Sequence, residues 1–294
     1  MNVQVVNRPV SASDLLSLTK PRLSSLVLCT CAGGVWLAPG TVTPLGWLLT
    51  LLGTAGTVGA ANALNCYMER DVDRAMARTR NRPLPAGRME PQVALLFALA
   101  LACVSLPVLA LGSNLLTTGL GLLALLTYVF VYTPLKPHTD AAMLVGAVPG
   151  ALPPLMGWTA VTGRLDVQGL ALFAVLFLWQ LPHFLAIALF RKAEYQAAGL
   201  QTVPLRLGDE ATRWWMLLTT ALLVPVTLAL YPLHLAGRLY LAVAAVLGVA
   251  FLAVQAFGVM HRLGAGWARR SFFFSLLYLV GLFAALFLNA QARA

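Results

Sequence analysis

Residues 23 to 68 carry no charged side chain, and residues 91 to 135 again carry none. A soluble domain, with about a quarter of its residues charged, does not sustain such runs. Over all 294 residues only 10% are charged and 60% are hydrophobic, with a mean hydropathy of +0.81. A chain of this kind cannot cover itself with polar surface, which excludes a water-soluble globule. The same figures exclude disorder, which requires low hydrophobicity and high charge. The apolar runs are continuous rather than alternating, so they read as membrane helices of about 20 residues rather than barrel strands.

Turn residues cut the long runs. Pro39-Gly40 and Pro44 divide the first into helices near 23–38 and 46–68, and Gly112-Ser113-Asn114 divides the second into 91–111 and 115–132. Single spans follow near 141–159, 168–190, 214–232, 239–260 and 271–290, giving nine in all. The expected architecture is an all-α integral membrane protein. A cytoplasmic segment 1–22 leads into one nine-helix domain, 23–290, with an external tail 291–294. Residues 1–18 lack an apolar core, so no cleaved signal peptide is expected.

The net charge of +10 comes mostly from arginine, 17 against 3 lysines. These charges lie between apolar runs, so topology explains them before nucleic-acid binding does, and no nucleic-acid partner is expected. With a cytoplasmic N-terminus, 17 of the 20 basic residues fall inside and only Arg164, Arg238 and Arg293 outside. The positive-inside rule then places the C-terminus outside. Two inside loops, about 69–90 and 191–213, are the longest, and long loops in compact proteins tend to be functional. Cys29, Cys31, Cys66 and Cys103 all sit in apolar segments without a zinc-ligand spacing, and read as small core residues.

The end of the second span carries the chemistry. Glu69, Asp71 and Asp73 fall within five residues, preceded by Asn62 and Asn65 in an otherwise apolar helix. At about 100° per residue, Asn62, Asn65, Glu69 and Asp73 share one face and Asp71 points away. Carboxylates at i and i+4 repel unless a positive charge joins them. Mg²⁺, held by one or two carboxylates and phosphate oxygens, is a natural partner of Glu69 and Asp73, with Asp71 the weaker candidate. Arg70, Arg74, Arg78, Arg80, Arg82 and Arg88 follow, and guanidinium groups bind phosphate bidentately. The competing reading is a topogenic loop with internal salt bridges, which leaves the intramembrane asparagines unexplained.

The run Asn65-Cys66-Tyr67-Met68-Glu69-Arg70-Asp71-Val72-Asp73, then Arg78-Thr79-Arg80-Asn81-Arg82-Pro83-Leu84, resembles the first acidic motif of the UbiA intramembrane prenyltransferases. Tyr132-Thr133-Pro134-Leu135-Lys136, the run Pro153-Pro154-Leu155-Met156-Gly157-Trp158 and Pro182-His183-Phe184 are similar to the branch that farnesylates protohaem IX, in the expected order. Glu69 departs from the aspartate usual in the superfamily, and Ala142 from an asparagine usual in the branch. The resemblance implies two four-helix modules around a central cavity capped by both long loops on the cytoplasmic side of a bacterial cell membrane. It implies transfer of a farnesyl group from farnesyl diphosphate to a vinyl of haem b, giving haem O, with a haem A synthase as the next enzyme. Asn65, Glu69 and Asp73 would hold Mg²⁺, and Arg78, Arg82, Arg191 and Lys192 the diphosphate. His183, Tyr132, Lys136 and Tyr195 would be candidates for contact with haem.

Other readings stay open at this point. His183 is either a packing residue or a contact to iron, propionate or proton. Arg191 and Lys192 suit a stop-transfer pair as well as a diphosphate. Trp158, Trp179, Trp214, Trp215 and Trp267 suit interfacial anchoring, or a pocket for a flat acceptor. A sibling prenyltransferase acting on a quinone precursor fits the same acidic motif. An anion transporter fits less well, since its site belongs near the bilayer midplane rather than at a helix end.

Overall fold

The computed structural model describes residues 11–290, and every regular element among them is helical. Arg8, Arg293 and the tail 291–294 lie outside the described residues. The first elements are α1 (Ala12–Leu18), α2 (Pro21–Leu37), α3 (Pro44–Met68), α4 (Arg70–Ala75) and α5 (Pro91–Gly112). Next, α6 (Leu115–Leu126) runs through a π-helical stretch, Thr127–Tyr132, into the short α7 (Thr133–Leu135). The chain continues through α8 (Ala142–Thr162), α9 (Val167–Phe190), α10 (Lys192–Ala197), α11 (Val203–Arg206), α12 (Gly208–Leu228), α13 (Arg238–Met260) and α14 (Ala265–Ala290).

Local chemistry sets the helix starts. Proline opens α2, α3 and α5, where its missing N–H costs nothing. Thr43, Asn114 and Asp166 accept from the backbone N–H of Gly46, Thr117 and Gly169 at the starts of α3, α6 and α9. α12 begins at Gly208 and α14 at Ala265, each about six residues earlier than hydropathy places the span. Hydropathy marks the hydrocarbon section alone. Asp209 and Glu210 extend α12 beyond it, where acidic groups suit a helix N-terminus.

Eight stretches are long and apolar enough to cross a membrane: α3, α5, α6 through α7, α8, α9, α12, α13 and α14. The expected first span is α2. Its 17 residues reach only ~25 Å, short of the ~30 Å hydrocarbon core. We propose that α2 completes a ninth crossing. A reporter fused after residue 87 should then be cytoplasmic and one fused at residue 294 external. Two reporters on the same side would remove the ninth span.

The helices group into two compact units. The first takes the chain up to His138 with Leu152–Arg164 and Ala197–Leu200; the second takes Thr139–Ala151, Leu165–Gln196 and Gln201 onward. In the first, α3 lies along α5 so closely that a Cβ on Gly53 would stand 2.6 Å from the Cα of Leu109. Leu18, Ala60, Leu64, Leu84, Met89, Leu125 and Val129 form a buried apolar cluster beside this contact. In the second, Leu185, Leu189, Val203, Met216 and Trp267 form another. Several buried hydroxyls and amides are paired across helices, as a lipid solvent favours. Thr117 bonds Thr159, Thr227 bonds Tyr278, and Gln255 bonds Ser271.

Two sequence readings are corrected. Cys31 and Cys66 are buried, but Cys29 and Cys103 are exposed. An apolar residue on a membrane helix is equally at home facing lipid, so hydropathy does not separate the two. Trp158, Trp179 and Trp267 are buried packing residues rather than interfacial anchors, whereas Trp214 and Trp215 are exposed.

Candidate active site

The acidic stripe is built where α3 ends. The backbone leaves regular helix at Glu69, yet Glu69 N–H still donates to Asn65 O and Asp73 N–H to Glu69 O. The four-residue spacing therefore survives the break, and Asn65, Glu69 and Asp73 are all buried. Asp71 points outward, 67% exposed, and pairs with Arg74 at 2.8 Å. Asn62 belongs to the scaffold. Its amide donates to Thr19 O and Ser24 Oγ at the entry to α2.

Three cations meet the stripe, one per residue. Arg82 donates to Asp73 Oδ2 at 2.7 Å, Lys136 to Glu69 Oε1 at 2.7 Å and Lys20 to Asn65 Oδ1 at 2.7 Å. Burial lowers the pKa of Lys20 below the ordinary lysine range, offset only in part by Glu69 and Cys66. Burial also works against the charge on Lys136, but Tyr132 and Glu69 outweigh it and hold its pKa high. Arg78 is exposed, with no ion pair to it among the described residues. Tyr132 is half-buried, its ring 5.2 Å from that of Tyr128 and 5.3 Å from Lys136 Nζ.

One atom is left over. Asp73 Oδ1 is buried with no hydrogen-bond partner in the protein. An unpaired buried carboxylate oxygen costs about 1–3 kcal/mol or more, so the site is arranged to receive a cation there. Among the described residues, no three His, Cys, Asp or Glu side chains converge as a metal cage. Mg²⁺ does not require one, because it keeps several waters and takes one or two carboxylates plus phosphate. Glu69, Asp73 and the Asn65 amide oxygen fit that demand.

The amide of Asn65 is fixed from behind. The π-helical stretch brings Thr133 Oγ1 to Tyr128 O, to which it donates at 2.8 Å. With its proton committed, Thr133 can only accept, and Asn65 Nδ2 donates to it at 3.1 Å. The oxygen of Asn65 therefore faces Lys20. Lys20 and Thr133 thus both bond the Asn65 amide, and sequence reasoning missed them. The available signals were weak: one of only three lysines at a helix entry, and a threonine preceding the proline of Tyr132-Thr133-Pro134.

The second unit holds the remaining candidates. Arg191 pairs with Glu194 and Lys192 with Asp209, at 2.8 and 2.7 Å. His183 is buried in α9, stacked on Trp179 and beside Phe272, with both ring centroids 4.7 Å away. Its Nδ1 lies 2.7 Å from Ser275 Oγ. Tyr195 is half-buried on α10, and its backbone N–H donates to Arg191 O at 3.2 Å.

One span of this multi-helix membrane fold thus ends in buried amide and carboxylate oxygens ringed by arginine and lysine. Residues 26–292 match the UbiA prenyltransferase family, and the chain belongs to it. The chain is 64% identical over 293 residues to a protohaem IX farnesyltransferase of Myxococcus xanthus, covering all of both chains. It is 57% identical to a protohaem IX farnesyltransferase of Anaeromyxobacter dehalogenans, covering 94% of this chain and 93% of that one. Solved structures share the fold. A digeranylgeranylglyceryl phosphate synthase superposes with a TM-score of 0.81 at 17% identity, covering 95% of this chain and 98% of that one. A UbiA homologue from Archaeoglobus fulgidus bound to GPP and Mg²⁺ superposes with a TM-score of 0.69 at 19% identity, covering 93% and 99%.

Proposed function

We propose that this prenyltransferase moves a farnesyl group from farnesyl diphosphate to a vinyl group of haem b, giving haem O. The observation that carries the donor half is the buried Asn65–Glu69–Asp73 stripe, with Asp73 Oδ1 unpaired and Lys20, Arg82 and Lys136 around it. The acceptor half rests on the full-length similarity to protohaem IX farnesyltransferases.

Asn65, Glu69 and Asp73 would hold Mg²⁺, which when bound supplies positive charge to the diphosphate. The carboxylates alone would repel that group. Lys136 and Arg82, which neutralise Glu69 and Asp73 here, can turn their donors to phosphate oxygens when the cation takes over that duty. Lys20 can do the same from Asn65. Arg78 extends the proposed diphosphate set, and Arg191 and Lys192 of the second unit are separate candidates for phosphate contact.

The C1–O bond of the donor breaks with its electron pair leaving on diphosphate, whose growing charge these fixed cations stabilise. The apolar helices exclude water from the allylic cation. The vinyl π pair forms the new C–C bond. Water then adds to the carbon beside the ring and loses a proton, leaving a hydroxyethylfarnesyl substituent. The site faces the cytoplasm of a bacterial cell membrane, as the basic loops indicate.

Cells expressing the protein should accumulate a haem more hydrophobic than haem b, with the mass of one farnesyl group and one hydroxyl added. Unchanged haem in cells that make the intact protein would contradict this reading.

A further inference from the structure

The surroundings of His183 fix more than its position. Ser275 on α14 stands 2.7 Å from His183 Nδ1, and its hydroxyl also lies 2.6 Å from the carbonyl oxygen of Phe272. A carbonyl cannot donate, and a hydroxyl has one proton. If that proton went to His183, two bare oxygens would face each other at 2.6 Å. The only assignment that satisfies both contacts has Ser275 donating to Phe272 O and accepting from His183 Nδ1–H. The imidazole is then the Nδ1–H tautomer, and its Nε2 carries a free lone pair.

Among the described residues no donor reaches that lone pair. The described hydrogen bonds give His183 no partner at Nε2. Three aromatic rings surround the imidazole, with ring centroids 4.7 Å away for Trp179 and Phe272 and 5.8 Å for Phe184. The Trp179 indole N–H donates to the backbone oxygen of the same Ser275 at 2.7 Å, so one residue of α14 orients both rings on α9. A histidine held through Nδ1–H with Nε2 free, within an apolar aromatic wall, is the arrangement used to ligate a metal.

We propose that His183 Nε2 is an axial ligand to the iron of the tetrapyrrole acceptor, and that Ser275 is its positioning residue. The proposal rests on the reading that the acceptor is haem. Iron ligation would anchor the macrocycle while the vinyl group stays free to react, since the iron takes no part in forming the C–C bond.

The test titrates purified protein in lipid nanodiscs with ferric protoporphyrin IX and, separately, with metal-free protoporphyrin IX. Wild type should give a histidine-ligated Soret and electron-paramagnetic-resonance signature with the iron porphyrin. His183→Ala should lose that signature and bind the iron porphyrin about tenfold more weakly, with affinity for the metal-free ring unchanged. His183→Gly should regain the signature on addition of imidazole. Ser275→Ala keeps the ring but not its tautomer, and should show a smaller loss of iron-porphyrin affinity with the histidine signature retained at saturation. A wild-type spectrum in His183→Ala, or equal weakening for both porphyrins, would overturn the ligand. Wild-type affinity in Ser275→Ala would overturn the positioning role. If wild type turns over haem while these outcomes occur, only this assignment fails. If wild type neither binds nor farnesylates haem, the acceptor reading fails with it.

Discussion

Asp73→Asn is expected to lower turnover by about 10²–10³-fold at normal protein level, the loss typical when one preorganised electrostatic partner is removed. Asp73 is 1% exposed, holds Arg82 through Oδ2 and leaves Oδ1 without a partner. The amide keeps the shape and removes the charge. Arg82 would lose its counter-ion, and the metal would lose the oxygen best placed to receive it. Glu69→Gln should behave similarly, because Lys136 depends on it. Asp71→Asn is the internal control. That side chain is exposed and bonded to Arg74, a surface pair worth ~0–1 kcal/mol, so activity should stay within about fivefold of wild type. Steady-state kinetics over a Mg²⁺ series separates the three. Near-normal turnover by Asp73→Asn would remove the stripe from the donor site.

Gly157→Ala is expected to destabilise the first unit by about 2–3 kcal/mol, the overpacking range, and to cut the yield of folded protein. A Cβ on Gly157 would fall on the carbonyl oxygen of Cys31 and stand 2.8 Å from the backbone N of Val35. Gly34 makes the reciprocal approach, where a Cβ would meet the carbonyl oxygen of Pro154. Both sides of the contact are backbone, so no rotamer change can relieve it. Gly119→Ala is the comparison. Nothing lies within 4 Å of its added Cβ, and a helical Gly→Ala change there should be neutral or stabilising by about 0.5–1 kcal/mol. Thermal unfolding in detergent should show a clear drop for Gly157→Ala alone. Equal midpoints would show that this helix contact can open.

The stripe was legible because a helix repeats. Spacings of four and four placed Asn65, Glu69 and Asp73 on one face and sent Asp71 elsewhere, and the structure keeps that phase through the break at Glu69. The cations were not legible. Lys20 lies 45 residues before its partner, and Lys136, read from the sequence as a haem contact, lies 67 residues after Glu69. Local periodicity carries no information at that range. Span lengths followed from hydropathy, but burial did not, because lipid and protein core reward the same apolar side chains. That is why Cys29 and Cys103 face outward against expectation, and why hydropathy left open that Trp158, Trp179 and Trp267 face inward.

Purified protein in lipid, supplied with radiolabelled farnesyl diphosphate, Mg²⁺ and either haem b or a hydroxybenzoate, puts donor and acceptor to one test. Label should appear in a haem of haem O mass, depend on Mg²⁺ and disappear with Asp73→Asn, while the hydroxybenzoate stays unlabelled. Label on the hydroxybenzoate with none on haem would contradict the assignment and move the chain to a quinone-precursor prenyltransferase.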